Sequence, residues 1–130
     1  MAQLLGSQFT HRIRFLPHLV PMIRGMLSSI HMEMTEAGTA IDWQQAFENA
    51  YASEPFIDVM PKGNYPDTRS VRASNRLRIA IHQDNERAEL TVIVVQDNLV
   101  KGAAGQAVQN MNAMFGLEES LGLNFAPIVP

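Results

Sequence analysis

Arg76-Leu77-Arg78-Ile79-Ala80-Ile81-His82, then Asp84-Asn85-Glu86-Arg87, then Ala88-Glu89-Leu90-Thr91-Val92-Ile93-Val94-Val95 decide the fold class. Two runs that alternate with period two flank a polar turn, so they predict a β-hairpin, with Leu77, Ile79 and Ile81 on one face. Downstream of the hairpin the period changes. From Gly102 onward Ala104, Ala107, Val108, Met111, Met114 and Phe115 recur at helical spacing, with Gly116 placed to cap the end. Upstream, Met26, Ser28, Ile30, Met32 and Met34 alternate with Leu27, Ser29, His31, Glu33 and Thr35, the pattern of a long strand. Thr39 with Asp42 reads as a capping box ahead of Trp43, Ala46, Phe47, Ala50 and Tyr51, a helix of about three turns that stops before Pro55. Phe56 to Met60 is a short apolar strand, and Pro61 to Arg69 is a loop by its turn residues. Thr10 to Leu16 alternates as a half-buried strand that Pro17 and Pro21 terminate, and Met1 to Leu5 reads as the end of a helix capped by Gly6. The order β-β-α-β-β-β-α, about five strands and two longer helices, predicts an α+β domain. Its mainly antiparallel mixed sheet carries helices on one face and leaves the other to pack on another domain or subunit.

The 130 residues, 46% hydrophobic and 18% charged with a net charge of −3, suit one globular domain spanning 1–130. The absence of cysteine excludes a disulfide scaffold, thiolate metal sites and a cysteine nucleophile supplied by these residues. The acidic balance argues against bulk electrostatic binding to nucleic acid or membrane, and no apolar run approaches the ~20 residues of a membrane span, so a cytoplasmic protein is expected. His11, His18, His31 and His82 show no metal-ligand spacing, and no metal site is expected.

Three segments are candidates for chemistry. In Gln96-Asp97-Asn98-Leu99-Val100-Lys101-Gly102-Ala103-Ala104-Gly105-Gln106 a strand gives way to a helix through small residues. Unpaired amides there, with Asn98 as a two-way amide and Lys101 as a cation, suit an anionic or amide-bearing ligand. The structural alternative is that Asn98 or a neighbour caps the helix, while Gly102 and Gly105 permit close packing. In Pro17-His18-Leu19-Val20-Pro21-Met22-Ile23-Arg24-Gly25 an imidazole and a guanidinium sit in an irregular bend where Arg24 suits a carboxylate or phosphate, against the alternative of a surface ion pair. Arg72, Arg76 and Arg78 align on one strand face beside Ser74 and Asn75, either an anion-binding surface or a solvated face neutralised by Glu86 and Glu89.

Taken together, Pro17-His18-Leu19-Val20-Pro21-Met22 with Arg24-Gly25, Glu54-Pro55-Phe56, Val71-Arg72-Ala73-Ser74-Asn75, Asp97 through Asn110, and Met114-Phe115-Gly116-Leu117 resemble the N-acetyl-gamma-glutamyl-phosphate reductase family. The resemblance runs from about Phe15 to Leu123 and covers only the later part of that family's polypeptide. It implies the catalytic and dimerisation domain of an NADP-dependent enzyme related to the aspartate-semialdehyde and glyceraldehyde-phosphate dehydrogenases, whose C-terminal domain it would share in fold. In that family a cysteine thiolate attacks the acyl phosphate, phosphate leaves, and NADPH reduces the thioester with a histidine as acid/base. The cysteine, the dinucleotide fingerprint and the His-Arg-His-x-Pro-Glu type segment have no counterpart here, so the resemblance implies no catalytic residue in these 130 and an inactive isolated chain.

What the resemblance carries over is support. Asn98 takes the position that contacts the nicotinamide amide, and Gly102 with Ala103 opens the helix returning towards the cofactor domain, making these the cofactor-binding candidates. Arg24 and His18, with Ser74 and Asn75, are the substrate-binding candidates for N-acetyl-glutamyl phosphate. Arg76-Leu77-Arg78 departs from the aromatic or small residue usual after Ser74-Asn75. Homo-oligomers through the sheet face are also implied. Three alternatives remain open at this level: a reductase of the one-carbon-longer aminoadipyl phosphate, a stand-alone binding or assembly module, and RNA binding by the arginine strand.

Overall fold

A computed structural model describes residues 13–128. The expected hairpin is its centre: β3 (Leu77–Asp84) and β4 (Glu89–Gln96) pair antiparallel from Leu77 opposite Gln96 to Asp84 opposite Glu89. Asp84 closes the turn, its Oδ1 accepting from the amides of Glu86 and Arg87, each at 3.0 Å. Those bonds, led by the Arg87 amide, together with the Arg87 guanidinium hold the Asp84 carboxyl below its ordinary pKa against a smaller opposing effect of desolvation.

β1 (Met26–Glu33) lies antiparallel on the far side of β4, and β2 (Ile57–Val59) adds parallel to β3, giving the order β1-β4-β3-β2. The sheet is therefore mixed and mainly antiparallel, as expected, with four strands among the described residues against the expected five or so. Ile13 to Leu16 is unpaired and exposed, and the rest of the expected first strand, with the Met1–Gly6 helix end, lies outside the described residues.

Between β1 and β2 run α1 (Glu36–Thr39), a single turn capped by Thr35, and α2 (Trp43–Tyr51). The expected capping box is corrected here. Asp42 caps α2 itself, its Oδ1 accepting from Gln45 N at 3.1 Å, while Thr39 ends α1 and its hydroxyl turns back to Glu36 O. Each helix thus has its own cap, Thr35 for a single turn ahead of the anticipated helix and Asp42 for the helix of nine residues itself. α2 lays Trp43, Phe47 and Tyr51 over Ile79, Ile81, Leu90 and Val92, the centre of the hydrophobic core.

α2 covers β2, β3 and β4 but not β1, all eight residues of which are exposed, with Met26 at 42%, Ile30 at 45% and Met32 at 41% on the helix-side face. After β4 a π-helical turn, Val100–Ala104, leads into α3 (Gly105–Met114), which ends at Gly116 with φ +67°. α3 is anchored on the Val71–Asn75 and Glu119–Leu123 segments near the strand ends. Its buried residues are Gly105, Gln109 and Asn112, whereas Met111, Met114 and Phe115, the stripe expected to pack inward, are exposed. Among the described residues no helix is long and apolar enough to cross a membrane.

Candidate functional site

Three segments distant in sequence meet where β4 ends: Arg24-Gly25, Arg72–Asn75 and Asp97–Lys101. Asp97 is the knot. Fully buried, its Oδ1 accepts from the amides of Leu99 and Val100 at 2.8 Å each, the pattern of a helix N-cap, while its Oδ2 accepts from Ala73 N at 2.7 Å and lies 3.7 Å from Arg24 Nε. Burial alone would raise its pKa, but the three N–H groups and the Arg24 charge outweigh it and hold the carboxyl below the ordinary value. Ala73 meets this carboxylate in the left-handed region, φ 54°, a strain of about 1 kcal/mol for a residue with a Cβ.

The neighbouring Asn98 has a different job. Its Oδ1 accepts from Gly25 N at 2.8 Å, so the side chain presents its Nδ2 donors, and no acceptor for them exists among the described residues. Gly25 makes this contact at φ +110°, and a Cβ there would come within 2.7 Å of Thr68 Cβ, so only glycine fits the crossing of these two loops.

The structure places the sequence-derived candidates unequally. Arg24, 28% exposed at its side chain, joins Asn98 at the same junction. Gly102 and Ala103 lie on the outside of the π turn, and Gly102 N donates to Asp97 O at 2.8 Å. Ser74 and Asn75 are both 0% exposed: Ser74 Oγ donates to Val71 O, and Asn75 Nδ2 donates to Gln109 Oε1 at 2.9 Å. In this conformation they act from behind the surface. His18 is exposed, its Nδ1 2.9 Å from Leu16 O, with no contact to the junction among the described bonds.

Two expectations about charge are corrected. Lys101 is not an outward cation: it is 8% exposed, its Nζ donates to Gln109 Oε1 at 2.7 Å and sits 5.6 Å from the Phe56 ring centroid. Desolvation pushes its pKa below the usual lysine value, opposed by the carboxylates of Glu119 and Glu54. The arginine row also dissolves, because β3 starts at Leu77. Arg72 and Arg76 lie off the strand, and Arg78 pairs with Asp58 of β2 at 2.9 Å and not with Glu86 or Glu89.

The helix start is likewise not a set of open amides, since Asp97 already fills it with a carboxylate. The sequence marks Asn98, and a helix cap at Asn98 or a neighbour that the structure assigns to Asp97, but it singles out none of Asp97, Gln109 and Glu119. An Asp at a strand end two and three residues before the bonded amides was the available signal for the first. Nothing local marks the other two, which act through folding. Among the described residues no three His, Asp or Glu side chains gather as a metal site would require.

Comparison with known proteins agrees with this architecture. The family profile described as "Semialdehyde dehydrogenase, dimerisation domain" matches residues 1–98. The chain is 88% identical over all 130 residues to a protein of Psychrobacter cryohalolentis named N-acetyl-gamma-glutamyl-phosphate reductase, and covers 37% of that protein's length. Proteins of the same name from Herminiimonas arsenicoxydans and Bordetella pertussis are 60% identical over 116 residues and 57% identical over 118, or 89% and 91% of this chain, covering 34% and 33% of their own lengths. The chain thus spans little more than a third of the relatives it matches.

Proposed function

Because the chain belongs to the semialdehyde dehydrogenase family through its dimerisation domain, we propose that it serves an NADP-dependent reductase of N-acetyl-gamma-glutamyl phosphate. It would supply the C-terminal domain that completes the cofactor and substrate sites. The observation that carries this reading is the 88% identity over 130 residues with a protein named for that reaction. The product is the semialdehyde, with phosphate released, as a step of arginine biosynthesis. The enzyme is placed in the cytoplasm.

The junction suits that role. When bound, the cofactor supplies the hydride; this chain's residues hold and aim. With its oxygen held by Gly25, Asn98 offers N–H donors, the complement of a carboxamide carbonyl such as that of a nicotinamide. The outward Gly102 and Ala103 leave room for close approach beside it. Arg24 faces Asp97 only through Nε at 3.7 Å, which leaves its terminal nitrogens to a carboxylate or phosphate of the substrate. Ser74 and Asn75 support this wall from within, and His18, exposed on the flanking loop with no bond to the junction among the described residues, is the weakest-supported of the substrate candidates. No residue here is assigned as nucleophile or acid/base, and the chain by itself is expected to be inactive.

Homo-oligomerisation through the sheet face belongs to the same proposal, supported by the family's description and, at the β1 end of the sheet, by the exposed Met26, Ile30 and Met32.

The test is a chimera in which these 130 residues replace the matching 37% of the Psychrobacter cryohalolentis protein. Asn98→Ala in that chimera is expected to weaken NADPH binding by roughly tenfold, the loss of one good hydrogen bond to a bound group. Unchanged NADPH affinity would remove Asn98 from the cofactor site. Paired kinetics with N-acetyl-glutamyl and aminoadipyl phosphates on the same chimera decide the chain length of the substrate.

A further inference from the structure

Along the π turn the chain presents Lys101 inward, Gly102, Ala103 and Ala104 outward, and Gly105 inward again. A turn bonded from i to i+5 holds one residue more than an α turn, and such insertions recur at functional sites. Here a buried lysine and a buried glycine four residues apart bracket three exposed positions.

What holds the bracket is a chain of side-chain bonds that runs from the buried Lys101, Asn75 and Gln109 to the half-buried Glu119. Lys101 Nζ and Asn75 Nδ2 both donate to Gln109 Oε1, at 2.7 and 2.9 Å, and Gln109 Nε2 donates to Glu119 Oε1. Gly105 is pressed so closely on Asn75 that a Cβ would lie 2.3 Å from its Oδ1. An apolar filling of the same volume would hold α3 at least as well, because buried charges and amides gain little net stability. What a directional network adds is position: each donor has one acceptor, and moving the turn breaks the set.

We infer that the Lys101–Gln109–Glu119 chain is a positioning device that sets the aim of the turn bearing Asn98, Gly102 and Ala103. Lys101 and Gln109 are then positioning residues for cofactor binding, acting from beneath a turn whose outer side makes the contact. This rests on the reading of Asn98 as a cofactor contact.

The experiment uses the chimera described above and measures the NADPH dissociation constant, the KM for the acyl phosphate and the thermal midpoint. Gln109→Glu removes the donor to Glu119 and sets two carboxylates against each other. It is expected to weaken NADPH binding roughly tenfold, as small displacements of a binding group do, with the acyl-phosphate KM little changed. Adding Glu119→Gln restores a donor facing an acceptor at every link and should return NADPH binding close to its starting value. Lys101→Met, which keeps the apolar stem, should resemble Gln109→Glu and serves where that variant does not fold.

Unchanged NADPH binding in folded Gln109→Glu or Lys101→Met overturns the inference. So does a parallel rise of both constants that the double substitution fails to reverse. If Asn98→Ala leaves NADPH binding unchanged, the cofactor reading itself has failed. If Asn98→Ala weakens it and the network variants do not, the positioning role alone has failed.

Discussion

α2 and α3 are both amphipathic in sequence, yet they bury opposite stripes. α2 turns Trp43, Phe47 and Tyr51 onto the sheet and leaves its polar side to solvent. α3 buries Gly105, Gln109 and Asn112 and exposes Met111, Met114 and Phe115, the last two at 82% and 74%. The difference teaches what each helix is for. α2 closes this domain's own core, while α3 is held by directional bonds and keeps an apolar face turned outward, towards the rest of the enzyme in the proposed reading.

The largest test of that contrast is Gly105→Ala. In an exposed helix the change would stabilise, but here the added methyl meets Asn75 Oδ1 at 2.3 Å and Val100 Cγ1 at 2.7 Å. Overpacking against a buried amide is expected to cost about 3 kcal/mol in urea unfolding of the chain. A stabilised variant would mean that α3 is not seated on Asn75.

Next comes Asp97→Asn, which puts an amide where Ala73 N donates and removes the charge 3.7 Å from Arg24 Nε, for an expected loss of about 2 kcal/mol at pH 7. The sign with pH follows from the lowered pKa. A carboxylate whose folded pKa lies below its unfolded value near 3.9 contributes stability above that value and loses it as pH falls through the folded one. The gap between the parent and Asp97→Asn should therefore shrink below about pH 4, as chemical unfolding across pH would record; a gap that widens in acid would contradict it.

Phe47→Ala on α2 should cost about 2 kcal/mol, below the figure for a fully buried phenylalanine because Phe47 is only partly buried. The same kind of truncation on the outward stripe, Met114→Ser with Phe115→Ser, should change the stability of the chain by no more than about 0.5 kcal/mol. Equal losses at the two sites would erase the contrast between the helices.

How much was legible in the sequence follows the same division. The hairpin and α2 are readable because period and burial coincide there: Ile79 and Ile81 alternate and are buried, and Phe47 and Tyr51 follow helical spacing onto them, whereas β1 is marked by its period alone, all eight of its residues being exposed. Ile13 to Leu16 alternates yet pairs with no strand among the described residues, because alternation alone does not supply a partner. α3 was located correctly but turned the wrong way round, since a hydrophobic stripe records which face avoids water and not which surface covers it.

At the site, residue type identified Asn98, while the partner that fixes its orientation, Gly25 N, is 73 residues away in sequence. Lys101 was misread for the same reason. A lysine beside glycines suggests an exposed cation, and only Phe56 and Gln109, brought in by folding, make it an inward anchor.

In the proposed reading these residues complete an acyl-phosphate reductase. The most direct measurement is NADPH oxidation with N-acetyl-glutamyl phosphate, with phosphate release followed in parallel, by the chimera carrying this chain in place of the matching 37% of the Psychrobacter cryohalolentis protein. The expected result is one phosphate released per NADPH oxidised, with no turnover by the 130 residues alone. A chimera that folds and binds NADPH yet turns over no acyl phosphate, or turnover by the isolated chain, would contradict it.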